Sequence, residues 1–181
     1  MKQNRSLIIA LALLIITGSV FRVAGFAPQI AMAVFGGAVI KDKRLAFLLP
    51  LVSMFLSDVL YQVLFNYGYV PYGGFYEGQI VNYILLAGIT LIGLWARNLN
   101  WTRVVAATLA APTVYFLASN FLVWFGGGGL QRPKTFGGLM MCYNDAVPFF
   151  RSGLASTILF STILFGGYFL IQRFILREKL A

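Results

Sequence analysis

The sequence predicts an all-α integral membrane protein with six transmembrane helices and cytoplasmic N- and C-termini. Three observations predict it. Of 181 residues, 60% are hydrophobic and 10% charged, against about a quarter charged in a soluble domain. That much apolar surface needs an apolar solvent. The apolar residues also fall into runs near the roughly 17–25 residues that cross a bilayer. The basic residues, which give a net charge of +9, stand in short clusters between those runs, the placement that orients spans in a membrane. No nucleic-acid partner is expected, because nucleic-acid binding would gather the same charge on one face.

The first span is expected at 7–24, after Lys2 and Arg5. Thr17, Gly18 and Ser19 lead into Phe21 and Arg22 without a small-x-small cleavage site, so this run reads as a retained helix rather than a secretory signal. The second, 28–40, is apolar but short. A short Gly-containing segment of this kind is either a broken helix beside a cavity or a re-entrant piece. The remaining spans are expected at 45–65, 79–96, 104–125 and 153–171.

Charge decides the status of the short second segment. If it crosses, Lys2, Arg5, Lys41, Lys43, Arg44, Arg97, Arg103, Arg173, Arg177 and Lys179 share the inner side, and Arg22, Arg132, Lys134 and Arg151 the outer, which is ten against four of the 14 basic residues. If it only dips, Arg97, Arg103 and the C-terminal cluster move outside, against the rule that inner loops carry the Lys and Arg. Six crossings are therefore expected. Two outer connections exceed a simple turn, 66–78 and 126–152. The second opens on Gly126–Gly129 and holds Pro133, Gly137, Gly138 and Pro148 around an apolar patch at 139–143. It is expected to be a long outer loop folded back over the helix ends. With no internal repeat and no soluble insert, 1–181 reads as a single transmembrane domain.

Polar side chains are costly in hydrocarbon and usually face protein or a cavity. Asp58 lies about 20 Å along the third span and Gln62 one turn further. Both fall in its outer half. Asn82 and Tyr83 lie near the outer end of the fourth span, and Asn120 and Trp124 near that of the fifth. Tyr143, Asn144, Asp145 and Arg151 stand where the long loop approaches the sixth, and Gln29 opens the second from the same side. The inner halves hold little beyond Ser, Thr and the interfacial Gln172. Two readings follow. The polar residues form an outward-open chamber for a small polar or amphipathic solute, or Asp58 pairs with Arg151 and the amides hold helices together. Asp58 as a proton site lacks a second acid in any span.

The chain has no histidine and one cysteine. Histidine acid/base chemistry, multi-cysteine metal sites and internal disulfides are excluded. Cys142 is either a metal ligand or reactive thiol, or a small apolar residue under the loop. Without a base to activate Cys142 or a serine, an enzyme is not expected, and neither is a cofactor. The glycines at 126–129 lack the Lys-Ser/Thr of a phosphate-binding loop. Tyr61, Phe65, Tyr67, Tyr69, Tyr72, Phe75 and Tyr76 gather about one outer connection, as an interfacial belt or as rings available for stacking. Small residues four apart, Ala33 and Gly37, Ala106 and Ala110, Ala107 and Ala111, allow close helix approach.

Several motifs occur in order: Phe26-Ala-Pro-Gln-Ile, Phe35-Gly-Gly-Ala, Leu49-Pro-Leu with Leu56-Ser-Asp58, then Cys142-Tyr and Val147-Pro-Phe-Phe-Arg151. Over roughly Phe26 to Gly167 the chain resembles a family of small bacterial membrane proteins. These in turn look like the S components, the substrate-binding subunits, of energy-coupling factor (ECF) vitamin transporters. The resemblance implies a multi-pass protein of the bacterial cytoplasmic (inner) membrane that captures a vitamin, vitamin precursor or metal-related micronutrient from outside. The Phe21–Gln29 connection and the loop before the last span would close over the solute. It also implies a transmembrane coupling subunit and ATPases on other chains. Many S components carry alanines four apart on the first span for docking that subunit; here Ala10 is followed by Leu14 and Ala12 by Ile16. A solitary mode of action stays open, as does the alternative of a non-catalytic structural or assembly subunit of a larger membrane complex.

Overall fold

The computed structural model describes Phe26 and residues 28–178, with side chains through Arg173. The span expected at 7–24 lies outside the described residues. The described residues form five helices and no strand: α1 (Gln29–Val39), α2 (Lys43–Asn66), α3 (Gln79–Trp95), α4 (Trp101–Gly126) and α5 (Phe136–Glu178). Three of them, α2, α4 and α5, are long and apolar enough to cross a membrane. The two others, α1 with 11 residues and α3 with 17, are shorter apolar helices.

α1 forms the centre. Every residue from Ala31 to Ala38 is buried, and α2, α3, α4 and α5 all pack on it. The small residues of α1 make this possible. A Cβ at Gly37 would lie 2.5 Å from the Thr90 carbonyl oxygen of α3, and one at Gly93 of α3 would lie 2.4 Å from the Val34 carbonyl oxygen. The two backbones meet through paired glycines. At its far end α1 is closed by Arg97, whose guanidinium donates to the carbonyl oxygens of Ile40 (2.6 Å) and Lys41 (2.8 Å). A cation there also complements the helix dipole.

The outer helices sort their faces by solvent. On α2 the buried residues Ala46, Pro50, Ser53, Ser57, Asp58 and Tyr61 recur at helical spacing, while Leu45, Leu48, Val52, Phe55, Leu56, Val59 and Val63 are exposed. An exposed face this apolar suits lipid. Pro50 cannot donate to Ala46, and that carbonyl lies beside Gly36 of α1, whose absent Cβ would come within 3.1 Å of it. Asp42 caps α2 by accepting from the Arg44 N–H at 2.8 Å, and Asn100 caps α4 by accepting from Thr102 N–H at 3.0 Å. Both are ordinary N-cap chemistry. α4 ends on Gly127 at φ 78°, with Gly128 N–H donating to Val123 O at 2.9 Å, the left-handed helix stop that glycine permits.

One expectation needs correction. The long outer loop expected at 126–152 is short, residues 127–135, because α5 begins at Phe136 and continues to Glu178. Leu139, Cys142, Tyr143, Ala146 and Phe150 recur at helical spacing and are at least half-buried. Rings of Tyr143 and Phe150 pack on Phe116 of α4 at 5.6 and 4.7 Å. Pro148 interrupts nothing, since it and Asn144, whose carbonyl loses its helical donor, both lie on the exposed side. The sixth span expected at 153–171 is thus the later part of a 43-residue helix, about 65 Å long at 1.5 Å per residue.

Candidate functional site

The polar residues of α2, α3 and α4 meet at the end of the bundle where α2 stops and α3 begins. There the 67–78 connection folds down onto α2. A Cβ at Gly74 would fall 1.7 Å from the Asp58 carbonyl oxygen, and one at Gly73 would fall 2.8 Å from Gln62 Oε1. At Gly74, against backbone, only glycine allows that approach. Gln62 fastens the segment, accepting from Phe75 N–H at 3.3 Å and donating to Asn66 Oδ1 at 3.1 Å.

Beneath this cover Asp58 is fully buried. Its carboxylate accepts from Tyr83 Oη at 2.6 Å and from Gln79 Nε2. Gln79 Oε1 accepts in turn from Tyr76 N–H at 3.2 Å. Gln79 and Tyr83 stand four apart on α3, and Asn82 three beyond Gln79, so all three share one face. Asn82 extends the network, donating to Tyr76 Oη and accepting from Tyr115 Oη at 3.0 Å. One chain of hydrogen bonds therefore ties α2, the covering segment, α3 and α4.

Cavities adjoin the network. One of about 300 Å³ is lined by Tyr61, Tyr72, Gly73, Phe75 and Tyr76. A larger one of about 520 Å³ lies between the start of α3 and the end of α4, with Tyr76, Asn82 and Ser119 in its wall. A third of about 150 Å³ includes Tyr115, Ser119, Asn120 and Phe150. Tyr76 is common to the first two and Ser119 to the last two. Such walls, mostly apolar with a few placed hydroxyl and amide groups, suit small-molecule contact.

A second polar group lies on α4, α5 and the connection between them. Asn120 donates to Phe116 O of its own helix at 2.8 Å, and its carbonyl lies 3.6 Å from Cys142 Sγ. Tyr143 Oη donates to Leu117 O at 3.0 Å. Trp124 Nε1 donates to Pro133 O at 2.8 Å, while Lys134 Nζ sits 5.2 Å from the Trp124 ring centre and caps α4 through Trp124 O and Phe125 O. Asp145 and Arg132 form a two-bond ion pair at 2.8 and 3.1 Å. The Asp145 hydrogen bond and charge raise the Arg132 pKa above its ordinary value. This group anchors the 127–135 connection.

Of the ten residues expected in the site, Asp58 and Asn82 join the first network and Gln62 fastens the segment that covers it. Asn120, Trp124, Tyr143 and Asp145 belong to the second group, with Asn120 also on a cavity wall. Among the described residues no hydrogen bond joins Gln29, Asn144 or Arg151 to either, and Arg151 is exposed rather than paired with Asp58. Cys142 is half-buried, and no cluster of metal-ligating residues occurs among the described residues. Sequence reasoning missed Gln79 and Tyr83 as the partners of Asp58, and Tyr115 and Ser119 as wall residues, while Tyr76 stood among the rings expected to be available for stacking. The Gln79, Asn82, Tyr83 spacing was the available signal.

No curated protein and no solved structure matches the chain. One family, described as Family of unknown function (DUF6580), matches residues 2–178. That match spans nearly the whole chain, which therefore belongs to the DUF6580 family.

Proposed function

We propose that this protein is a membrane-embedded, non-catalytic component that binds a small micronutrient from the outer side for uptake, in the manner of the ECF S components its sequence resembles. In this reading the chain crosses the bacterial cytoplasmic membrane six times. The Lys41–Arg44 and Arg97–Arg103 connections face the cytoplasm, and 67–78 and 127–135 face out.

The observation that carries the reading is the one-ended placement of polar chemistry. The Asp58–Gln79–Tyr83 and Tyr76–Asn82–Tyr115 bonds and three cavities that share wall residues occupy the end opposite the basic connections. A buried carboxylate that accepts from Gln79 and Tyr83, alongside amide and phenol groups, suits a small solute with polar and ring components. Uptake would need a coupling subunit and ATPases on other chains, or would proceed alone. The alternative, a structural or assembly subunit, draws on the exposed pair Ala106 and Ala110 of α4, which could seat another helix.

The test is thermal unfolding of the purified protein in nanodiscs against a panel of vitamins, vitamin precursors and micronutrient metal complexes. A ligand at a hundred times its Kd stabilises by about 2.7 kcal/mol, and Asn82→Ala should weaken that effect. If no compound shifts the wild type, and Asn82→Ala leaves growth on limiting micronutrients unchanged, the reading fails.

A further inference from the structure

At the other end of the bundle, α4 and α5 diverge into an open groove of about 270 Å³, lined by Trp101, Val104, Thr108, Leu109, Ser161 and Phe165 among others. Its walls are apolar except for hydroxyls. Ser161 is 3% exposed, and its Oγ is the one buried side-chain polar atom among the described residues with no hydrogen-bond partner. Its neighbours behave otherwise. Ser156 and Thr157 each donate to Gly153 O, at 2.9 and 2.7 Å, and Thr162 donates to Ile158 O at 2.8 Å. Ser161 forgoes the bond back to its own helix, at a buried position where an unmade hydrogen bond is costly.

Depth narrows what fills the groove. At 1.5 Å per residue Thr108 lies about 10 Å in from Trp101, and Ser161 about 18 Å from Arg173. The hydrocarbon half of a bilayer is about 15 Å deep, so the polar atoms of a lipid headgroup stay near Trp101 and do not reach these hydroxyls. A polypeptide brings acceptors at every depth. Charge opposes a second copy meeting this face with its own: the same end carries Lys41, Lys43, Arg44, Arg97, Arg103 and Arg173 against Asp42, engaged in capping α2, and Glu178, and residues 1–25 of this chain hold no acidic residue to meet Arg173. Arg173 is exposed and stands four residues beyond Phe169, a groove residue, so it shares that face at the groove mouth.

We propose that this groove receives a transmembrane helix of a different polypeptide, one carrying a hydrogen-bonding side chain at mid-depth and an acidic residue at the end near Arg173. The proposal stands independently of any solute at the opposite end. To test it, a diazirine amino acid replaces Val105 on the groove rim or, as control, Ile84 on the exposed side of α3, in full-length protein in its native membrane. The result expected is a Val105 adduct dominated by one apolar peptide of span length with an acidic residue at the required end. Its yield should fall about threefold in Ser161→Ala, the measure of one membrane hydrogen bond, and further in Arg173→Glu. Unchanged thermal unfolding of Ser161→Ala shows that the fold is intact. Adducts only to lipid or to the same chain, the same products from Ile84, or a yield indifferent to Ser161→Ala overturn the proposal.

Discussion

Replacing Gly93 by alanine should destabilise the protein relative to the same replacement at Gly88, five residues earlier on α3. At Gly93 the new Cβ lies 2.4 Å from Val34 O and 2.9 Å from Ala33 O, whereas ordinary contact begins at 3.4 Å. The neighbours must move by about 1 Å, and they are backbone atoms of a helix enclosed by four others. Overpacking of this kind costs about 1–3 kcal/mol. At Gly88 nothing lies within 4 Å. The gain in helix propensity, about 1 kcal/mol, applies at both positions and cancels in the difference. The overpacking cost should therefore appear as a Tm gap of roughly 2–12 °C, at 2–4 °C per kcal/mol for a chain of this size. Thermal unfolding of both variants in one nanodisc preparation, followed by circular dichroism, measures the gap. Equal stabilities, or a more stable Gly93→Ala, would show that α1 and α3 do not meet through these glycines.

Gly74→Ala should lift the 67–78 segment from α2, because no side-chain adjustment relieves a contact with the Asp58 backbone; faster cleavage there by an added protease, with Gly88→Ala, in open space on α3, as a control, checks this. Tyr83→Phe removes one donor from a buried carboxylate and should lower stability by about 1.5–3 kcal/mol, read in the same unfolding assay. Arg132→Gln, in contrast, breaks a solvent-exposed pair and should leave the Tm unchanged within error; a clear drop would mean that the 127–135 connection depends on that pair.

Legibility tracked how local the governing physics was. The bounds of α2, α3 and α4 follow from apolar run length and fall within about three residues of those expected. α5 was misread at its start because Gly137, Gly138 and Pro148 are breakers by composition. The structure uses Gly138 at the first turn, where its missing side chain admits Pro133 O, 1.9 Å from where a Cβ would lie, and it turns Pro148 outward. Both facts depend on tertiary placement. The same division holds at the site. A carboxylate at the depth of Asp58 is conspicuous in the sequence, but whether Gln79 and Tyr83 or Arg151 faces it depends on how α3 and α5 are rotated, which no local pattern sets. Asn120 and Tyr143, expected beside Asp58, instead bond carbonyls of α4.

The central claim, that the polar end of the bundle holds a small solute, is tested most directly by native mass spectrometry of protein released from its own membrane. The account predicts a stoichiometric small molecule on the wild type that is lost from Asn82→Leu while the protein stays folded. Wild-type protein carrying only lipid, or a small molecule retained equally by Asn82→Leu, would contradict it.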